Sequence, residues 1–324
     1  MISKVRTASL ISRACQNYIL GRPLCVSFEI THSCNAKCIH CHLRGTVKEN
    51  RASAAQLGEI CRRINPVVAQ ISGGEPLLRH DVEEIIKEFK RPDGTPYIDI
   101  TTNGSLLTKK RYDRLIEAGL DQVGISLDYP DKRHDDFRGI PGLFAKIENL
   151  VRSIGDGQDK KISLICVIHR ENFRDLIKMT ELVNDWKINI NFSVYTWLRT
   201  GLKEFMIQKQ EIKELREIVS KILDFKRKYG RIFTSETVFN KYIQFFENQS
   251  IPNCKTGRRF YNVNPDGSIS PCGLHIKDFK SQDELRKNFA NQNSCSFCYT
   301  SIRANTEKNF YNLVKDNLKT VKKF

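Results

Sequence analysis

The stretch Thr31-His32-Ser33-Cys34-Asn35-Ala36-Lys37-Cys38-Ile39-His40-Cys41 decides how the rest of the chain is read. It follows a β-prone run and sets three cysteines at C-x3-C-x2-C spacing on one short loop. Three thiolates so placed can hold three irons of a [4Fe-4S] cube and leave the fourth iron open to another ligand. A structural zinc site asks instead for four closed ligands, and His40 or His42 is near enough in sequence to supply the fourth. Both readings stand on the spacing alone.

Outward from the loop, the run before it, Leu24 to His32, is the first of six strand-like segments. The others are Val67 to Ser72, Tyr97 to Thr102, Gln122 to Leu127, Lys161 to Ile168 and Asn189 to Val194. Between them Ala52 to Asn65, Asp81 to Lys90, Thr108 to Ala118, Phe144 to Ile154 and Arg174 to Asp185 carry apolar stripes at helical spacing. Such alternation calls for a parallel sheet with helical crossovers, able to curl into a partial barrel whose site lies at the strand C-terminal ends. The expected fold class is therefore α/β, a partial (β/α)6 TIM-like barrel with a C-terminal α+β module. A helical segment precedes it (Val5, Ala8, Ile11, Cys15, Ile19), and beyond Trp197 come a charged helix, about Lys209 to Tyr229, another near Val238 to Glu247, and a hairpin turn at Pro265-Asp266-Gly267. The expected division is 1–21, 22–200 and 201–324.

The chain's 324 residues are enough for one large domain with an appendage, and 40% hydrophobic content excludes fibrous and disordered classes. No apolar run approaches the ~18 residues of a membrane span, and the N-terminus lacks a signal peptide's apolar stretch, so a cytoplasmic protein is expected. A reducing compartment disfavours disulfides, and 11 cysteines cannot all pair within one chain, which points to metal ligation or redox chemistry. The formal charge of +16 suits nucleic acid, anionic lipid or a phosphorylated substrate and selects none of them.

Four motifs in order resemble the radical SAM superfamily. The C-x3-C-x2-C loop after the first strand is its hallmark. Ile71-Ser72-Gly73-Gly74-Glu75-Pro76 is similar to its GGEP motif, Ile100-Thr101-Thr102-Asn103-Gly104 to its TNG motif, and Ile125-Ser126-Leu127-Asp128 to its S-x-D pattern. The resemblance covers roughly residues 22 to 195. It implies that Cys34, Cys38 and Cys41 hold a [4Fe-4S] cluster whose open iron takes S-adenosylmethionine, cleaved reductively to a 5′-deoxyadenosyl radical. By the same resemblance Gly73, Gly74 and Glu75 receive the cofactor's amino group, with Asn103 beside them. The glycines suit a close approach of backbone to ligand, and the carboxylate suits an ammonium. Ser126 at a strand end is placed for a ribose hydroxyl, with Asp128 doing likewise or organising the next loop. His134-Asp135-Asp136-Phe137-Arg138 is similar to an H-D-x-x-R stretch of the peptide-modifying branch, implying that Arg138 reaches the cofactor carboxylate. The alternative for Arg138 and Asp128 is a surface-loop ion pair. His40 is expected to pack by the adenine, while His134 and His169 read as ordinary polar loop residues.

Cys254, Cys272, Cys295 and Cys298 form a second set, with Cys254 and Cys272 flanking the hairpin and the last two in C-x2-C spacing. Four ligands close a site, which spacing alone allows to be iron-sulfur or zinc. The arrangement resembles the SPASM and twitch subgroup and implies one auxiliary [4Fe-4S] cluster. Cys15, Cys25, Cys61 and Cys166 lie in apolar contexts and read as packing residues. Tyr195 and Trp197 either line a substrate pocket or pack the barrel rim. Basic residues near the start (Lys4, Arg6, Arg13, Arg22) and end (Lys315, Lys319, Lys322, Lys323), with Phe310, Tyr311, Leu313 and Leu318, form either a solvated helix face or a contact for anionic membrane or RNA.

The expected function is that of a radical SAM oxidoreductase acting on a biosynthetic small molecule or lipid, with a flavodoxin or ferredoxin as reductant. A peptide (RiPP) maturase is the second reading. It is lowered because only 33 residues precede Cys34, little for a leader-recognition domain, and the Lys-Lys-Phe end does not match the double glycine of the molybdopterin-precursor cyclases. RNA modification is third. The rival from another class, a non-catalytic iron-sulfur or zinc protein that binds nucleic acid, has no use for Gly73-Gly74-Glu75.

Overall fold

The computed structural model describes residues 4–154, 161–275 and 277–312. Helix α1 (Lys4–Ile19) leads into β1 (Cys25–Glu29), whose residues are all buried. Then α2 (Ala54–Ile64), β2 (Val68–Ser72), α3 (Val82–Phe89), β3 (Tyr97–Thr102), α4 (Lys109–Glu117) and β4 (Gln122–Ser126) follow as crossover units. A short helix α5 (Arg133–Arg138) precedes α6 (Leu143–Ser153), β5 (Ile162–Ile168), α7 (Leu176–Asp185) and β6 (Asn189–Val194). Local signals set several boundaries. Ser53 caps α2 in a reciprocal capping box with Gln56, and Asn65 ends that helix in the left-handed conformation (φ 56). Thr108 caps α4 by accepting from the Arg111 amide.

The six strands lie in the order β6-β5-β4-β3-β2-β1, all parallel. This is the expected partial barrel, and its two faces differ. One alternate set (Val26, Phe28, Ile71, Ile98, Ile100, Val123, Ile125) has no exposure and packs under the helices, with the Phe28 and Phe89 rings 4.5 Å apart. The other set is polar: Ser27, Gln70, Asp99 and Gln122 are register partners across four strands, and Glu29, Ser72 and Ser126 lie beyond them toward the strand ends. In β2 and β3 these inward residues are half-buried while their neighbours are fully buried. A TIM barrel's interior is packed with branched apolar side chains; here the concave face is polar and partly open.

The strand expected to run to His32 stops at Glu29. The Ile30 amide still bonds Ser72 O (3.0 Å), but at the next residues the chain leaves the sheet, Thr31 and the His32 amide turning to Glu49. The stretch holding His134 to Arg138, read as loop, is instead helical, forming α5, ended by Gly139 at φ 65.

Past β6, α8 (Ile212–Tyr229) and α9 (Glu236–Asn248) are the expected helices, followed by β7 (Phe260–Val263), β8 (Ile269–Ser270) and the short α10 (Gln282–Leu285) and α11 (Ser301–Thr306). β7 pairs parallel with β1, Cys25 opposite Phe260 and Phe28 opposite Val263, and β8 returns antiparallel across the Pro265-Asp266-Gly267 turn. At the other edge Ile190 bonds residues 231 and 233, Phe192 N donates to Thr234 Oγ1, and Tyr242 Oη donates to Phe192 O. The C-terminal third thus covers both edges of the six-stranded sheet. No described helix is long and apolar enough to cross a membrane. The basic residues 315–323 and Leu313 and Leu318 lie outside the described residues. Cys25, Cys61 and Cys166 are buried and Cys15 half-buried.

Because unpaired strand edges invite aggregation, a fragment ending at residue 200 is expected to be insoluble or to lack a cooperative unfolding transition. A soluble fragment with a sharp thermal transition by circular dichroism would contradict this.

Candidate functional site

The three loop cysteines sit at the C-terminal end of β1, held from three sides. From β2, Gly74 N donates to Thr31 O (2.7 Å) and Glu75 N to Ser33 O (2.8 Å). A Cβ on Gly73 would lie 2.1 Å from Thr31 O, and one on Gly74 2.2 Å from Ser33 O. A neighbour these glycines need to approach is the backbone leading into the cysteine loop, a requirement the expected approach to a ligand did not include. From β3, Asn103 Nδ2 donates to Asn35 Oδ1 (2.9 Å), and Asn35 Nδ2 donates to Ser105 Oγ (2.8 Å). From α5, the carbonyls of Phe137 and Arg138 accept from the amides of Ile39 (3.2 Å) and Lys37 (2.9 Å). The Cys34 amide closes the loop on Gly45 O (2.9 Å).

Glu75 has no exposure. Its Oε1 accepts from Leu77 N (3.0 Å) and Thr102 Oγ1 (2.7 Å), and its Oε2 from Asn103 N (2.8 Å). The carboxylate therefore ties the GGEP turn to the TNG turn. Burial pushes its pKa up against these three donors. Thr102, the first residue of the TNG motif, is a partner of Glu75 to which the motif match assigned no role.

Asp128 and Arg138 form a buried pair, their side chains 0% and 8% exposed, in place of the surface-loop alternative. Arg138 donates to Asp128 Oδ2 from Nε (2.9 Å) and Nη2 (2.5 Å), and from Nη1 toward Cys38 Sγ (3.6 Å). Val167 N donates to Asp128 Oδ1 (3.1 Å). Burial alone would raise the Asp128 pKa, but the guanidinium charge holds it well below the usual carboxylate range. Ser126 is half-buried at the end of β4.

His134 and His169 prove fully buried, contrary to the polar-loop reading. His134 Nδ1 accepts from Asp128 N (3.2 Å). The rings of His40, Phe137 and His169 form one stack, with centroids 4.8 Å apart at each step and planes within 8° and 11°. His40 thus packs on Phe137. Desolvation pushes His40 down to about 3, and His134 and His169 to about 4 each.

The second cysteine set is also drawn together. Its four thiols are close enough to shift one another, and burial, the largest cause, takes Cys272 to about 11 and Cys254 and Cys298 to about 12. Cys295 is the exception: His275 Nε2 stands 3.5 Å from its Sγ and lowers its pKa. Beneath them Arg303, fully buried, donates to the carbonyls of Cys298 (2.6 Å), Ile251 (2.9 Å) and Pro252 (2.9 Å). His275 and Arg303 went unnoticed in the sequence, although His275 lies only three residues after Cys272. Among the described residues no three His, Cys, Asp or Glu side chains converge as ligands of a single metal ion.

Between the two sets, Glu29 accepts from Asn262 Nδ2 (2.6 Å) and meets His32 Nε2 (3.1 Å). Arg199 approaches Glu29 at 3.9 Å. A Cβ on Gly273, next to Cys272, would meet both Arg199 and Glu29 within 2.6 Å. Tyr195 is buried, its hydroxyl bonded to Thr200 Oγ1 and Leu202 O. Trp197 packs on Phe297 of the C-x2-C turn at 6.2 Å.

Gly73→Ala is expected to cost about 3 kcal/mol in denaturant unfolding. Gly142→Ala, at φ +73 with no atom within 4 Å of its Cβ, is expected to cost about 1 kcal/mol; equal costs would remove the role given to the close approach. The buried histidines give a pH test. Unfolded imidazoles protonate below about 6.5, whereas His134 and His169 stay neutral to about 4. Their contribution is fully present above pH 6.5 and is lost as pH falls toward 4. Between pH 7 and 5 the loss is about 2 kcal/mol per histidine. His169→Phe, which keeps a ring in the stack, is expected to show a shallower fall in Tm over that interval than the native chain.

Residues 28–183 match the family described as the Radical SAM superfamily. The chain is 25% identical to the AdoMet-dependent heme synthase of Nitratidesulfovibrio vulgaris, over 92% of this chain and 91% of that protein. It is 31% identical to the Fe-coproporphyrin III synthase of Methanosarcina barkeri, over 63% of this chain and 51% of that protein. Among solved structures, Streptococcus suis SuiB bound to precursor peptide SuiA shares the fold with a TM-score of 0.65 at 16% identity, covering 95% of this chain and 76% of that one. The family match falls on the strands and loops that position the first cysteine set, and over residues 28–183 the chain is similar to the Radical SAM superfamily.

Proposed function

We propose that the chain is a radical SAM oxidoreductase acting on a carboxylate-bearing small molecule, with a tetrapyrrole as the favoured class. The observation that carries the radical SAM reading is the cysteine loop fixed at the strand ends by Glu75, Asn103 and α5 together. Cys34, Cys38 and Cys41 are the proposed ligands of a [4Fe-4S] cluster. The donor set suits one, because three thiols share the loop and a guanidinium donor aimed at Cys38 suits a thiolate better than a neutral thiol. When bound, cluster and S-adenosylmethionine supply the one-electron cleavage and the hydrogen-abstracting radical.

The protein's part is position and shelter. A carboxylate offers about four acceptor sites. Leu77, Thr102 and Asn103 use three of those of Glu75, leaving one on Oε2 for the cofactor's ammonium. Gly73 and Gly74 keep that turn against the loop. Arg138 has five donors; three go to Asp128 and Cys38, and the remainder are available to the cofactor carboxylate. Ser126 stands at the strand end for a ribose hydroxyl. Cys254, Cys272, Cys295 and Cys298 are proposed to hold an auxiliary [4Fe-4S] cluster that takes an electron from the substrate or positions it. A flavodoxin or ferredoxin is the proposed electron donor.

The polar concave face favours a polar substrate over a lipid chain. Arg199, 26% exposed between the two cysteine sets and no closer than 3.9 Å to Glu29, is placed to meet a carboxylate. The tetrapyrrole class rests on the names of the two relatives.

Anaerobically reconstituted protein given dithionite and S-adenosylmethionine is expected to release 5′-deoxyadenosine, and release should rise when iron coproporphyrin III is added. No release from protein with loaded clusters would overturn the enzyme reading, and release indifferent to the porphyrin would overturn the substrate class. Two clusters predict about 8 irons per chain and about 4 when Cys34, Cys38 and Cys41 are all alanine; zinc in their place would refute the auxiliary assignment.

A further inference from the structure

We infer that the buried Arg138–Asp128 pair sets the reduction potential of the cluster on Cys34, Cys38 and Cys41, Arg138 raising it through Cys38 and Asp128 limiting the rise. This rests on the reading that those cysteines hold a cluster. Arg138 acts as a positioning residue through the Cys38 sulfur.

The geometry is fixed by backbone on both sides. The carbonyl of Arg138 itself accepts from Lys37, inside the cysteine loop, and the preceding carbonyl accepts from Ile39. Gly139 follows at φ +65, where an added Cβ would press on Lys37 Cβ at 3.0 Å. Backbone hydrogen bonds thus seat helix α5 against the loop, and the two bonds to Asp128 Oδ2 aim the guanidinium at Cys38. Its Nη1 lies 3.6 Å from Cys38 Sγ, while Nε and Nη2 lie on Asp128 Oδ2. The positive end of the pair faces the sulfur and the negative end lies behind it, anchored by Val167 N. On the far side of the pair His134 Nδ1 accepts from Asp128 N (3.2 Å), and the His169 ring stacks on Phe137, the residue before Arg138.

Reduction adds one electron to the cluster and its thiolates. A buried cation hydrogen-bonded to a ligand sulfur stabilises that added charge, and burial leaves it little screened. Removing the cation must therefore make reduction harder, and removing the carboxylate that partly offsets it must make reduction easier. A pair that served only to hold the loop would not move the potential in opposite directions for the two substitutions.

The test is a redox titration of the reconstituted full chain followed by electron paramagnetic resonance, with the loop cluster's signal assigned by its change on adding S-adenosylmethionine. In Arg138→Gln the reduced-to-oxidised ratio at fixed potential is expected to fall about tenfold, which is about 59 mV for a one-electron couple. Asp128→Asn is expected to shift the ratio the other way, and Arg138→Lys, which keeps the charge, to stay near the native value. Loaded Arg138→Gln with an unchanged midpoint, or the same direction of shift in both substitutions, overturns the inference. If Arg138→Gln fails to take up iron, the direction of the Asp128→Asn shift decides. A native chain with no reducible cluster that responds to S-adenosylmethionine would instead overturn the cluster reading itself.

Discussion

The loop that carries Cys34, Cys38 and Cys41 can exist where it does only because the turn after β2 begins with two residues that have no side chains, Gly73 and Gly74. With the Thr31 carbonyl 2.1 Å from where a Cβ of Gly73 would stand, and the Ser33 carbonyl 2.2 Å from one on Gly74, the two backbones are in direct contact. Two inter-loop hydrogen bonds form across that contact. The restraint from β3 presumes it. Glu75 is positioned by the turn to reach Thr102 and Asn103; Asn103 is thereby positioned to reach Asn35; and Asn35 sits between the first two cysteines. A single steric allowance thus propagates through a buried carboxylate into the placement of the donor atoms.

The charges follow a related logic. Uncompensated burial of a carboxylate is expensive, so each buried one is matched to donors that also have a structural task. Glu75 takes neutral donors from two turns, whereas Asp128 takes a guanidinium whose remaining N–H groups face the cysteine loop. The imidazoles around that pair are kept neutral by desolvation. The result is one directed dipole beside Cys38, within a wall that carries no competing charge from its histidines.

What was legible in the sequence is local in origin. Six strands, their crossover helices and the C-x3-C-x2-C loop are written in apolar periodicity and in residue spacing, because each depends on residues within a few positions of one another. The polar alternation Ser27, Glu29 and Gln70, Ser72 was equally present but was overshadowed by the apolar residues between them, and only strand pairing shows that these side chains share one half-open face. The burial of His134 and His169 depended on α5 packing against the residues that follow β4 and β5, Asp128 and His169, a contact that a six-residue stretch does not announce. The glycines were read as making room for a ligand, since motif reading supplies the ligand but not the neighbouring loop.

The pairing of β7 with β1 brings the two cysteine sets to the same end of the sheet. β1 launches the first loop, and β7, hydrogen-bonded along it in parallel, presents Asn262 to Glu29 at the same end. The hairpin then brings Gly273, the neighbour of Cys272, against Glu29 and Arg199. Trp197 and Thr196, just beyond β6 at the far edge of the sheet, hold the turn between Cys295 and Cys298 through Phe297. The C-terminal cysteines are therefore anchored to both edges of the barrel sheet. A C-terminal module joined by a single flexible connection would not fix that placement; sheet continuity on one edge and the Trp197–Phe297 contact on the other do.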